Sequence, residues 1–180
     1  PMILFALLLA VLPEVLAFAA GKASRPFEKY LLDGLTVAFA DEARWLLPLL
    51  AVAVIGLAVW RRLPVWQGLV IAGLLQAATV AIIIAPRAIG VTQGPVREAA
   101  MLVKQSGETN VVAWRIIMPS FSVYRQAATP TRVPELGQLV FTRTDRKHEV
   151  QALLAPNLVL RDVYQRSFVT LARVEAEAKQ

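Results

Sequence analysis

Residues 65–85, VWQGLVIAGLLQAATVAIIIA, form an apolar run of 21 that ends at Pro86. About 20 such residues in helical form cross the hydrocarbon core of a bilayer, so the run predicts a transmembrane helix. Just before it, residues 45–60, WLLPLLAVAVIGLAVW, are apolar with Trp45 and Trp60 at the two ends. Indole rings favour the membrane–water interface, which marks both tryptophans as anchors. Arg61-Arg62-Leu63-Pro64 joins the two runs and closes a helical hairpin. Positive charge in a short loop stays on the cytoplasmic side. Arg61 and Arg62 are therefore topology anchors on the inside, and residues 87–180 are expected outside.

Toward the N-terminus, residues 2–20 form a third apolar run, interrupted by Pro13 and Glu14. As a helix it would reach about 28 Å, close to the thickness of the core. It has no basic stretch ahead of it, and Glu14 would sit inside the apolar region of a signal peptide, so a membrane helix is the better reading. A carboxylate within such a run often marks function; a kink at Pro13-Glu14 facing protein or water is the plainer explanation. Between the first two runs lies an outer loop, 21–44, with Lys22, Arg25, Lys29 and Arg44 balanced by Glu28, Asp33, Asp41 and Glu42. Its stretch Tyr30 to Ala40 is too short to span and predicts an interfacial or re-entrant helix, in which Asp33 is a candidate for contact with a head group or substrate. The chain starts with Pro1 inside an apolar run, and a C-terminal piece of a longer protein is expected.

The charge follows the same division. Residues 1–86 hold 6 Lys/Arg and 5 Asp/Glu, and residues 87–180 hold 13 and 8. The chain is 57% hydrophobic, above the 45–50% of ordinary soluble domains. The basic residues are scattered singly, with no basic run interleaved with aromatics, which argues against a nucleic-acid partner and favours lipid head groups or a lipid phosphate. The absence of cysteine excludes disulfides and thiolate chemistry. The one histidine, His148, reads as a solvated surface residue and cannot build a multi-histidine metal site. No Gly-rich phosphate loop, His-Glu-x-x-His or G-x-S-x-G motif is present. No catalytic and no metal-ligating residue is assigned.

Past Pro86, Gly94-Pro95 predicts the start of a helix and Gly107 its end, with Val96, Ala99, Ala100 and Val103 on one face and Arg97, Glu98 and Lys104 on the other. Val111 to Ile117 predicts a buried strand, Phe121 to Gln126 a short helix capped by Ser120, and Leu139 to Thr142 a second strand. Arg143 to Val150 predicts a short helix or loop. Leu158 to Val163 and Phe168 to Val174 predict a closing hairpin. The expected architecture is a membrane all-α part over residues 1–86, with about three transmembrane helices (2–20, 45–60, 65–85), and a small extracytoplasmic α/β domain over 87–180. Within it, Ser120, Tyr124 and Arg125 sit where a strand gives way to a helix, and they are candidates for an anion or sugar contact. Packing of Phe121 and Tyr124 with Ser120 as a simple cap is the plainer alternative. Gln67, Gln76 and Thr79 are expected to hydrogen-bond between membrane helices.

The succession of a membrane hairpin, the helix Gly94-Pro95-Val96-Arg97-Glu98-Ala99-Ala100, a strand, the segment Met118-Pro119-Ser120-Phe121-Ser122-Val123-Tyr124-Arg125 and the strand Leu139-Val140-Phe141-Thr142-Arg143 resembles the C-terminal part of bacterial polyprenyl-phosphate-dependent glycosyltransferases of the GT-C type. These include aminoarabinose transferases acting on lipid A and relatives of the protein O-mannosyltransferases. The resemblance covers most of the chain and is strongest over residues 65–143. It implies transfer of a sugar from a polyprenyl-phosphate donor to a lipid or protein acceptor, on the outer face of the inner (cytoplasmic) membrane. It further implies a site between membrane helices and the periplasmic domain, with upstream transmembrane helices of the same protein as partners. The family's acidic catalytic residue lies in an early outer loop that nothing here matches, so neither Asp33 nor Asp41 is assigned that role. No cofactor is implied in this stretch, and metal dependence of the whole enzyme stays open. A non-enzymatic, membrane-anchored extracytoplasmic binding module is the alternative, and a transporter fragment a third.

Overall fold

The computed structural model describes residues 2–40, 49, 52–53, 56–57, 60 and 64–177. The chain divides into two compact units, Pro1–Val91 and Thr92–Gln180, and the division falls inside a helix.

The N-terminal unit is helical. The run 2–20 is two helices, α1 (Met2–Ala10) and α2 (Leu12–Lys22), separated at Val11. Pro13 has no N–H to give and clashes with a preceding turn, so the helix restarts with proline in its first turn. Glu14 then falls in the first turn of α2, where the helix dipole favours a carboxylate. At 9 and 11 residues, each piece is shorter than a span requires. The expected outer loop 21–44 is largely helix as well: α3 runs Pro26–Ala40, with proline at its start and Glu28 in its first turn. Helix α2 packs along α3, and Gly34 of α3 lies so near Val91 that a Cβ there would stand 2.8 Å from Val91 Cγ1. Of the run 45–60, only scattered residues are described, and Trp45, Asp41, Arg61 and Arg62 lie outside the described residues.

Pro86 does not end the third run. Helix α4 (Val65–Thr79) passes through a wide π-turn (Val80–Ile84) into α5 (Ala85–Ser106). In the π-turn Ala85 N–H donates to Val80 O, one residue further back than in an α-helix. That extra residue widens the backbone ahead of Pro86, relieving the clash its ring would make with the preceding turn. Arg87 Nη1 donates to Ile83 O at 2.9 Å, occupying a carbonyl of the same turn. Pro95 likewise lies inside α5 and does not open it. Pro95, Val96, Ala99, Ala100 and Val103 are all buried, and this burial outweighs the about 3 kcal/mol that an interior proline costs a helix. Gly107 follows with φ +69, the left-handed helix end expected of it.

The C-terminal unit is a mixed α/β fold around a four-stranded sheet in the order β1-β2-β4-β3. Strand β1 (Val111–Ala113) pairs parallel with β2 (Leu139–Arg143). The remaining pairs, β2 with β4 (Val169–Ala176) and β4 with β3 (Leu158–Arg166), are antiparallel. Strand β1 is shorter than the predicted 111–117, because Arg115 adopts φ +47 and breaks the extended chain. Ile116 is then buried and Ile117 is 94% exposed.

Each face of the sheet carries helices. Val112, Val140 and Val174 point one way and pack against Val150 and Leu154 on and just beyond helix α7 (Lys147–Leu153), which follows a 3-10 turn over Thr144–Arg146. Phe141 points the other way and stacks on Phe121 of helix α6 (Pro119–Arg125), ring centroids 3.9 Å apart. Tyr164 shares the Phe141 face, since it sits opposite Leu171, which sits opposite Phe141. Its hydroxyl donates to Glu98 of α5 at 2.8 Å, so α5 covers that face too.

Candidate functional site

Helix α6 and the loop after it carry three of the four substrate-contact candidates. Met118 is the N-cap residue, with no side-chain hydrogen bond, and Pro119 occupies the first turn. Ser120 is thus inside the helix and is not its cap, a correction that follows from proline fixing φ at the first helical position. Ser120 and Tyr124, four apart, share one half-buried face; Phe121 and Arg125, also four apart, share the buried face. The structure therefore separates Arg125 from the pair with which sequence grouped it. Asp33 is exposed on α3 in the N-terminal unit, apart from the other three in chain and in unit.

Beyond Arg125 the chain turns back. Gln126 adopts φ 60, ψ 31 and its N–H reaches the carbonyls of Ser122 and Val123, while Ala127 N–H donates to Ser122 O at 3.2 Å. Gln126 Oε1 accepts from Lys104 Nζ of α5 at 2.8 Å. Ser122 Oγ donates to Thr129 Oγ1 at 3.0 Å, and Ala113 N–H donates to Pro130 O at 2.9 Å. A parallel bridge joins Ala113 to Thr131. The loop is thereby fastened to α6, α5 and the β1 edge of the sheet.

Arg125 is 7% exposed. Its Nη2 donates to Ala128 O, but Nε and Nη1 are buried with no hydrogen-bond partner. Among the described residues no carboxylate pairs with it, and burial alone pulls its pKa down from the usual arginine value. Lys104 Nζ bonds the side chain of Gln126, the residue that follows Arg125.

A second cluster ties α5 to the outer strand. Glu98 accepts from Tyr164 Oη and forms an ion pair with Arg166. The hydrogen bond from Arg166 holds the Glu98 carboxyl below its ordinary 4.5, helped by that from Tyr164. Burial, followed by the Glu98 carboxylate, raises the Tyr164 phenol well above its ordinary 10. Sequence reasoning had Glu98 on the exposed face of its helix but missed its partners, which lie 66 and 68 residues away. Lys104 and Gln126 were missed in the same way. The available signal was an acidic residue on the solvent face of α5 opposite a basic, aromatic outer strand.

The remaining candidates are individually placed. Trp60 turns its indole toward Gly68 of α4, where a Cβ would stand 3.3 Å from Cζ2. Thr79 Oγ1 donates to Leu75 O at 2.8 Å, a bond within its own helix where one between helices was expected. Gln67 and Gln76 are half-buried, and His148 is exposed. Among the described residues no three His, Cys, Asp or Glu side chains group as metal ligands. No family model matches the chain, and neither does any curated protein or solved structure.

Proposed function

We propose that the chain is the C-terminal part of a GT-C-type membrane glycosyltransferase, moving a sugar from a polyprenyl-phosphate carrier to a lipid A-like or protein acceptor. The observation that carries the reading is the helix Trp66–Ser106. It is long and apolar enough to cross a membrane, with a mean hydropathy of 2.3 over a window only 11% buried. Leu69, Val70, Ile71, Leu74, Leu75 and Ile82 are exposed along it, a surface suited to acyl chains and not to water. The same helix continues into the water-type packing of the α/β unit. A polyprenyl-linked sugar needs both environments, since its tail partitions into lipid while its phosphate and sugar react in water. The resemblance over residues 65–143 supports the same assignment. In this reading residues 65–85 span the inner membrane as one of several passes, Arg61 and Arg62 stay cytoplasmic, and the α/β unit works on the periplasmic side.

Full-length protein in liposomes should transfer sugar from a polyprenyl-phosphate donor to a lipid or protein acceptor. Absence of transfer from every such donor sinks the assignment. Protease added to intact spheroplasts should cut within residues 107–177; protection there overturns the topology. The second reading is a membrane-anchored binding module, in which the α/β unit presents its surface to a component of the envelope. It predicts a specific envelope partner in cross-linking and no turnover.

A further inference from the structure

We propose that Arg125 is the anchor of an oxyanion site in the α/β unit, one that takes a phosphate monoester or inorganic phosphate. The assignment goes beyond the transferase reading and does not depend on it. A buried guanidinium left unpaired is strongly unfavourable, and folded proteins match such a charge with an anion. This unit has acids to spare for arginines: Arg115 pairs with Glu149, Arg143 with Asp145, Arg166 with Glu98 and Arg173 with Glu108. Each of those guanidinium groups is more exposed than Arg125, with side chains 57%, 22%, 61% and 37% accessible. Acids therefore stand where water already screens the charge, and among the described residues none pairs with the buried Arg125.

The surroundings fit an anion from outside. Nη2 is held by Ala128 O, which aims the guanidinium and leaves Nε and Nη1 as donors. Lys104 is fixed beside the same turn through Gln126, and the Ser122–Thr129 hydroxyl pair lies one helical turn back. A guanidinium with two unused N–H donors suits an oxyanion with several acceptor oxygens, such as a phosphate group. Nε and Nη1 are themselves closed off from solvent, while Gln126, Ala127 and Ala128 beside them are exposed, so an anion reaches the two donors only when the turn 126–128 moves aside.

The test uses the full chain in phosphatidylcholine nanodiscs. Inorganic phosphate is titrated at constant ionic strength, with thermal stability and phosphorus NMR line width as readouts. A parallel series of discs contains increasing phosphatidic acid. Saturable stabilisation by inorganic phosphate identifies a soluble anion as ligand; stabilisation by phosphatidic acid alone identifies a lipid phosphomonoester. In either case Arg125→Gln should weaken the response about 10-fold or more. Arg125→Lys keeps the charge but loses the fork, so it should fall between the two and serves if the glutamine variant does not fold. No saturable response of the wild type to either ligand, or an undiminished response in folded Arg125→Gln or Arg125→Lys, overturns the site. Sugar transfer is not part of the readout, so failure of the transferase reading leaves this result intact, and the reverse also holds.

Discussion

Gly107 closes α5 at φ +69, and a Cβ added there would meet no atom within 4 Å. Substitution at this position isolates backbone strain from packing, and Gly107→Ala should lower stability by about 1 kcal/mol, read as a drop in the α/β unit's melting temperature. Glu98 offers a pH test. Its folded-state pKa lies below 4.5, so its pairing with Arg166 and Tyr164 stabilises the fold above pH 4.5, and that contribution is lost as pH falls below it. Both partners of the ion pair are about half exposed, so screening holds the effect to less than about 1 kcal/mol. Denaturant midpoints of wild type and Glu98→Gln should differ at pH 7 and draw together as pH falls below 4.5; a gap that stays constant down to full protonation of Glu98 sinks this account. At the residue scale Gly107 was legible in sequence, because its conformational role is local. Arg125 was not, because a helix places residues 120 and 125 about 140° apart, which puts Arg125 with Phe121 and not with Ser120.

Helix α6 has only seven residues, too few to be stable alone, and its position rests on the stack of Phe121 over Phe141. Phe121→Ala should cost about 3–5 kcal/mol. Hydrogen exchange should rise first in residues 119–126, ahead of β2 and β4; uniform loosening of the unit would contradict the anchoring role. The long helix from Val65 to Ser106 makes the opposite point about prolines. Pro86 and Pro95 read as punctuation in sequence, yet both lie inside continuous helix. A π-turn accommodates the first, and a fully buried stripe offsets the cost of the second. Such compensation depends on contacts that a local reading does not contain. The closing hairpin was more legible, since alternating residues on β3 and β4 carry the period of a strand in their own order.

For the whole molecule, residues 65–85 belong to a helix long and apolar enough to cross a membrane, with apolar side chains exposed along it. Ile71→Arg on that surface should disfavour membrane insertion by about 2.5–3.5 kcal/mol if residue 71 lies near mid-bilayer, measured as the fraction of chain resistant to alkaline extraction. Unchanged extraction would mean that this surface meets no lipid. Overpacking is testable within the N-terminal unit. Gly34→Ala sets a methyl group against Val91 and should destabilise by about 1–3 kcal/mol, seen as a lower melting temperature in detergent.

Hydropathy and its periods were enough to divide this chain into an apolar part and a mixed α/β part, and to place most helices and strands. The cause is local: transfer free energy and backbone preference act on residues near one another in sequence. Strand order β1-β2-β4-β3, helices on both faces and the pairing of Glu98 with Tyr164 and Arg166 came only with the folded chain. So did the want of a hydrogen-bond partner for Arg125 Nε and Nη1 among the described residues. These depend on groups brought together from tens of residues apart, where packing selects one arrangement among many that the same pattern permits.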